Sequence, residues 1–204
     1  EIHERLVGSE MCIRDRYRGT FVSLTENFCS IGMEQPAGNK ITGNPSSHPA
    51  LSVKWVEDFP DIPLNRNEAY KLRVTSKGVE IEAITETGVY RAIQTLRQLT
   101  EKKGNGIAIT GCEITDWPAF RIRGFMQDVG RTYISTDELK REIAILARYK
   151  INVFHWHLTE NQAWRLQSKV FPMLNDSVNT TRQPGKYYTL EEARELAAFC
   201  KQHH

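Results

Sequence analysis

Two capping boxes constrain what residues 123–204 can fold into. Ser135-Thr136-Asp137-Glu138 and Thr189-Leu190-Glu191-Glu192 each put a hydroxyl at the head of an apolar-periodic run and a carboxylate three residues later. In that pattern the side chain and backbone of each end residue satisfy the other's orphan amide, which marks the first turn of a helix. Behind the first box, Leu139, Ile143, Leu146 and Ala147 recur at helical spacing up to Tyr149. Behind the second, Leu190, Ala193, Leu196, Ala197 and Cys200 do the same. A short apolar run precedes each helix: RGFMQDV at 123–129 and NVFHWHLT at 152–159. The order strand, helix, strand, helix, with parallel crossovers, is the opening of an α/β fold.

The first half follows another pattern. EAYKLRV aligns Tyr70, Leu72 and Val74 on one face, TSKG turns with Gly78 free to take positive φ, and VEIEA aligns Val79, Ile81 and Ala83. This predicts a half-buried hairpin. LSVKWVED at 51–58 predicts a further strand, with Leu51, Val53 and Trp55 on one face. A helix capped by Thr87 is expected next, carrying Val89, Ala92, Ile93, Leu96 and Leu99 and ending near Lys102-Lys103-Gly104. Ile107–Thr110 reads as one more strand. Residues 21–115 are thus expected to form a small α+β domain opened by an Asn/Ser/Gly/Pro-rich loop, and residues 116–204 a second domain. Residues 1–20, EIHERLVGSEMCIRDRYRGT, show neither period; SEMCIRDRY resembles translated adapter read-through, with a disordered arm as the other reading.

Composition removes several classes. Of the 204 residues, 40% are hydrophobic and 25% charged, which is ordinary for a globular chain and excludes collagen-like and disordered polymers. Lys+Arg 27 against Asp+Glu 25 leaves a net charge of +2 with no like-charge block, so nucleic acid is not an expected partner. No apolar run approaches a membrane span. Cys12, Cys29, Cys112 and Cys200 are scattered without CxxC spacing, so a zinc ribbon or redox pair is not expected.

In α/β folds the working residues gather on the loops after the strands. That rule selects Asp128 to Arg131 and His157 to Trp164. RGFMQDVGR followed by KINVFHWHLTENQAWRLQ resembles glycoside hydrolase family 20, the β-N-acetylhexosaminidases. EAYKLRVTSKGVEIEAITETGVYRAIQTLRQL resembles that family's small N-terminal α+β domain, and DWPAFRIRG its linker into the catalytic barrel. The likeness is collinear from about residue 50 to 204.

The resemblance implies an α+β N-terminal domain followed by the first two βα units of a truncated (β/α)8 TIM barrel. It also implies a retaining mechanism in which the substrate's own acetamido oxygen attacks the anomeric carbon, outside the usual two-carboxylate scheme. The family's catalytic Asp-Glu pair lies on the fourth barrel strand. A whole barrel takes about 250 residues, and about 85 follow the linker. The pair is therefore expected to be absent from this chain, and the chain alone to be inactive. Arg131 matches the arginine that holds hydroxyls of the non-reducing sugar. Glu160 matches the first acid of an Asp-Asp step that orients a later histidine; here the step reads Glu160-Asn161 and one charge is missing. The implied partner is an N-acetylhexosamine-containing glycan, with no cofactor, and the implied location is periplasmic or secreted.

Two other readings stand beside this one. His155 and His157, at i and i+2 on a strand, share a face and could ligate zinc in a metal-dependent barrel hydrolase, although the sequence offers no clear third ligand. A non-catalytic sugar-binding or scaffold module is the other. Asp128 reads as a structural acid of the barrel, and Trp164 as either a sugar-stacking or a packing residue.

Overall fold

The computed structural model describes residues 50–75, 78–103 and 106–203. The expectations for residues 1–49 lie outside the described residues. The chain divides into two compact units at Arg121/Ile122.

In the first unit, β1 (Ala50–Trp55), β2 (Tyr70–Thr75), β3 (Gly78–Ala83) and β6 (Cys112–Asp116) form one sheet in the order β1-β3-β2-β6. β1 runs parallel to β3; the other pairs are antiparallel. The predicted alternation holds on the hairpin: Tyr70, Leu72 and Val74 are buried, and so are Ile81 and Ala83 opposite them. Trp55 departs from it at 38% exposure. Helix α1 (Glu86–Gln98) packs on β2 and β3 through Val89, Ala92, Ile93 and Leu96.

Two boundaries of that helix differ from the sequence reading. Its N-cap is Thr85, not Thr87. The Thr85 hydroxyl binds the Asn67 carbonyl instead of the helix amides, so the local capping signal is spent on a neighbouring loop. The helix also stops at Gln98, because the chain turns at once into a hairpin of β4 (Thr100–Lys103) and β5 (Gly106–Ile109). The basic pair read as a helix C-terminus is the end of a strand.

A buried polar cluster links the sheet to α1. The Tyr70 hydroxyl contacts both Thr95 Oγ1 and Asp116 Oδ2, the latter at 2.7 Å. Burial raises Asp116 to about 6, against the opposing pull of hydrogen bonds from Tyr70 and the Trp117 backbone. A carboxyl with a raised folded-state pKa binds more protons in the native than in the unfolded chain between its two values. Its contribution is therefore present at low pH and is lost as pH climbs from about 4 to about 6. Asp116→Asn is expected to remove that decline, worth about 3 kcal/mol for a two-unit shift. Urea midpoints of both proteins at pH 4.5 and 7.5 test this, and parallel pH dependence would contradict it.

In the second unit, β7 (Gly124–Asp128) and β8 (Val153–His157) pair in parallel, Gly124 opposite Val153 and Asp128 opposite His157. Helix α2 (Thr136–Arg148) connects them, and α3 (Leu190–Gln202) follows. Both capping boxes form as predicted, with hydroxyl and carboxylate each bound to the other residue's amide. After α2, Lys150 takes a left-handed conformation (φ 71°) and turns the chain back into β8. Phe154, Trp156 and Leu158 pack against Val129, Leu139, Ile143, Tyr188 and Leu196, while His155 and His157 alternate with them. α3 buries Leu196 and half-buries Leu190, Ala193 and Cys200, but Ala197 is exposed, contrary to the predicted stripe. Lys140 ties α2 to α3 through Glu195 at 2.6 Å.

Candidate functional site

The parallel register brings the two sequence-selected clusters together at one end of the sheet. The ladder runs past the strands: the Val129 and Gly130 amides both donate to the His157 carbonyl, at 3.0 and 3.1 Å. Gly130 then lies against the segment after β8. A Cβ there would stand 3.0 Å from both the Cβ and the amide nitrogen of Glu160, tighter than nine in ten packed Cβ contacts, so glycine eases the approach. That segment is a tight hairpin of β9 (Thr159–Glu160) and β10 (Ala163–Trp164).

Arg131 and Glu160 meet across the gap, Nη2 donating to Oε1 at 3.0 Å. Asp128 closes the other side: its Oδ1 accepts from the Arg131 backbone amide at 3.0 Å, and its Oδ2 lies 3.2 Å from Arg131 Nε. His157 Nε2 is 3.5 Å from the same Glu160 oxygen that Arg131 holds. Glu160's second oxygen accepts from the Asn161 amide at 3.3 Å. The hydrogen bond from Arg131, reinforced by the Asn161 amide and by the guanidinium charge, lowers the Glu160 pKa and keeps that group a carboxylate at neutral pH. The Arg131 side chain remains 61% exposed, so a guanidinium fixed by two acids faces solvent.

The ligand atoms of Asp128, His157 and Glu160 fall within 4.8 Å of one another, a set that could hold a metal ion. Arg131 already lies between the two carboxylates and meets their charge. His155 is not a member of that set; its ring centroid is 5.9 Å from that of His157 and tilted by 60°. Among the described residues, the set that could hold a metal thus includes His157 but not His155. Trp164 is 39% exposed on the hairpin.

One buried residue behind the site escaped the sequence reading. Arg165 is fully buried and donates to four backbone carbonyls: Val129 at 3.0 Å, Gln183 at 3.2 Å, and Lys186 and Arg182 at 2.8 Å. It joins the end of β7, next to Gly130 and Arg131, to segment 182–186. Gln183 Oε1 in turn accepts from the Tyr133 amide, and Tyr133 stacks on buried Tyr188 at 4.8 Å. The partners of Arg165 are backbone carbonyls of loops distant in sequence, so no local pattern announces it.

Two family models match the chain in order. Residues 30–117 match glycosyl hydrolase family 20, domain 2, and residues 120–204 match the catalytic domain of the same family. A beta-hexosaminidase of Porphyromonas gingivalis is 39% identical over 180 residues, covering 82% of this chain and 21% of that protein. One from Vibrio furnissii is 36% identical over 65% of this chain and 24% of its own length. Among solved structures, a Flavobacterium johnsoniae chitobiase superposes with a TM-score of 0.75 at 28% identity, over 96% of this chain and 29% of its own. A mutant Streptomyces plicatus beta-hexosaminidase in complex with product (GlcNAc) gives 0.75 at 28% identity, over 97% and 40%. The chain spans less than a quarter of the length of these two curated relatives. With both family models matched along the chain and beta-hexosaminidases among its relatives, the chain belongs to glycosyl hydrolase family 20.

Proposed function

We propose that this chain is the front part of a β-N-acetylhexosaminidase, a small α+β domain followed by the first two βα units of a (β/α)8 barrel. The whole enzyme would remove terminal N-acetylhexosamine from glycans or chitooligosaccharides, with retention and with the substrate's acetamido group as nucleophile. The observation that carries the reading is Arg131, anchored by Asp128 and Glu160 at the C-terminal end of two parallel strands and open to solvent. A guanidinium so placed offers fixed donors to sugar hydroxyls.

The second unit's sheet supports the barrel reading. Parallel sheets are stable when both faces are covered. Here two strands stand as a pair, with Phe125, Met126 and Val153 exposed at 37%, 55% and 40%. Further strands of a barrel would cover them.

In the mechanism, Arg131 fixes the non-reducing sugar through its hydroxyls. Glu160 orients a histidine from a later strand; its two oxygens have lone pairs beyond those occupied by Arg131 and the Asn161 amide. Protonation of the leaving oxygen and stabilisation of the acetamido group fall to an Asp-Glu pair supplied by residues outside this chain. The full-length protein is expected to hydrolyse a chromogenic N-acetyl-β-glucosaminide, whereas purified 1–204 should show no turnover above the uncatalysed rate. Turnover by 1–204 alone would overturn this division of roles.

A further inference from the structure

We propose that Asp128, read from sequence as a structural acid, is a positioning residue that sets the orientation of Arg131 toward the sugar. The inference rests on the reading of Arg131 as the hydroxyl-binding group. Asp128 holds Arg131 at two points of different kind. Its Oδ1 accepts from the Arg131 backbone amide at 3.0 Å, which fixes the turn. Its Oδ2 lies 3.2 Å from Nε, which fixes the guanidinium on the side nearest its own backbone. Glu160 takes Nη2 from the opposite loop at 3.0 Å.

The consequence is a division of the five N–H bonds of the guanidinium. Nε lies in ion-pair range of Asp128 at 3.2 Å, and one N–H of Nη2 goes to Glu160. Both N–H bonds of Nη1 and the second of Nη2 have no partner among the described residues. Those donors occupy adjacent positions on one plane, the arrangement that meets two neighbouring hydroxyl oxygens of a pyranose. An arginine side chain free to rotate would lose entropy on binding and could offer other edges; two carboxylates remove that freedom before the sugar arrives. Asp128 itself then need not touch the sugar.

A double-mutant cycle in the full-length protein tests this, with a chromogenic N-acetyl-β-glucosaminide as substrate. Asp128→Asn keeps an oxygen for the Arg131 amide but removes the charge beside Nε. Arg131→Met is expected to lower kcat/KM about 100-fold, as lost charge-assisted hydrogen bonds do. Asp128→Asn should lower it about 10-fold, mainly through KM, and by less than about twofold once Arg131 is already Met. If Arg131→Met leaves kcat/KM unchanged, the sugar-binding reading fails and this inference with it. If Arg131→Met is damaging but the Asp128→Asn loss multiplies fully onto it, or is absent, only the inference fails. Should Asp128→Asn not fold, Asp128→Ser enters the same cycle, since its hydroxyl can still accept from the turn amide.

Discussion

Arg165→Met is expected to destabilise the second unit by about 4 kcal/mol, since four carbonyls lose their donor and each buried unsatisfied group costs about 1 kcal/mol or more. The carbonyls of Val129, Arg182, Gln183 and Lys186 all point at one guanidinium. Methionine fills similar space and donates nothing. Lysine keeps the charge, but one ammonium cannot span the four acceptors, so Arg165→Lys should retain less than half of the lost stability. Near-ultraviolet circular dichroism follows the event directly, because Trp156 packs on Tyr188 at 4.5 Å and the Tyr188 amide donates to the Arg165 carbonyl at 2.6 Å. Wild-type melting of both variants would show that the carbonyls find water and that the hub is dispensable.

Gly88→Ala should be similarly damaging to the first unit. A Cβ at Gly88 would overlap the Ala69 backbone oxygen and stand 2.9 Å from the Ala83 Cβ. The obstacle is backbone and a short side chain, so no rotamer relieves it and α1 must lift from β3. Overpacking of this kind costs about 3 kcal/mol. Gly185→Ala is the contrast: its Cβ would meet nothing within 4 Å, and the penalty comes only from the left-handed φ of 73°, about 1 kcal/mol. Urea midpoints of the two variants should therefore differ widely, and equal midpoints would contradict the packing account.

The parts of the fold legible in sequence were those written in local chemistry. The capping boxes at Ser135 and Thr189 formed as read, because hydroxyl and carboxylate need nothing beyond their own turn. The alternation of Tyr70, Leu72 and Val74 held for the same reason. What failed depended on distant partners. Thr85 gives its hydroxyl to Asn67, which no local pattern announces. Lys102-Lys103-Gly104 mimics a helix end, yet Thr100 already closes α1 through the Arg97 carbonyl at 2.6 Å and starts a strand.

The site divides the same way. Arg131 and Glu160 were legible as candidates because they follow strands and match a motif. Their partnership was not, since it needs the parallel register that sets Asp128 opposite His157. Asp128 as an anchor accepts from a backbone amide and Arg165 as a hub donates to backbone carbonyls, and backbone partners leave no mark in a sequence. Glu160 shows how a departure from motif reads in three dimensions: the longer side chain reaches Arg131 and lies beside His157 from its own loop.

The most direct test of the central claim is to sequence the coding DNA beyond His204. The account predicts an uninterrupted reading frame with further alternating strands and helices and, on the fourth strand, an adjacent Asp-Glu pair. A stop codon directly after His204 would contradict it, leaving Arg131 and its two acids without the groups that break a glycosidic bond.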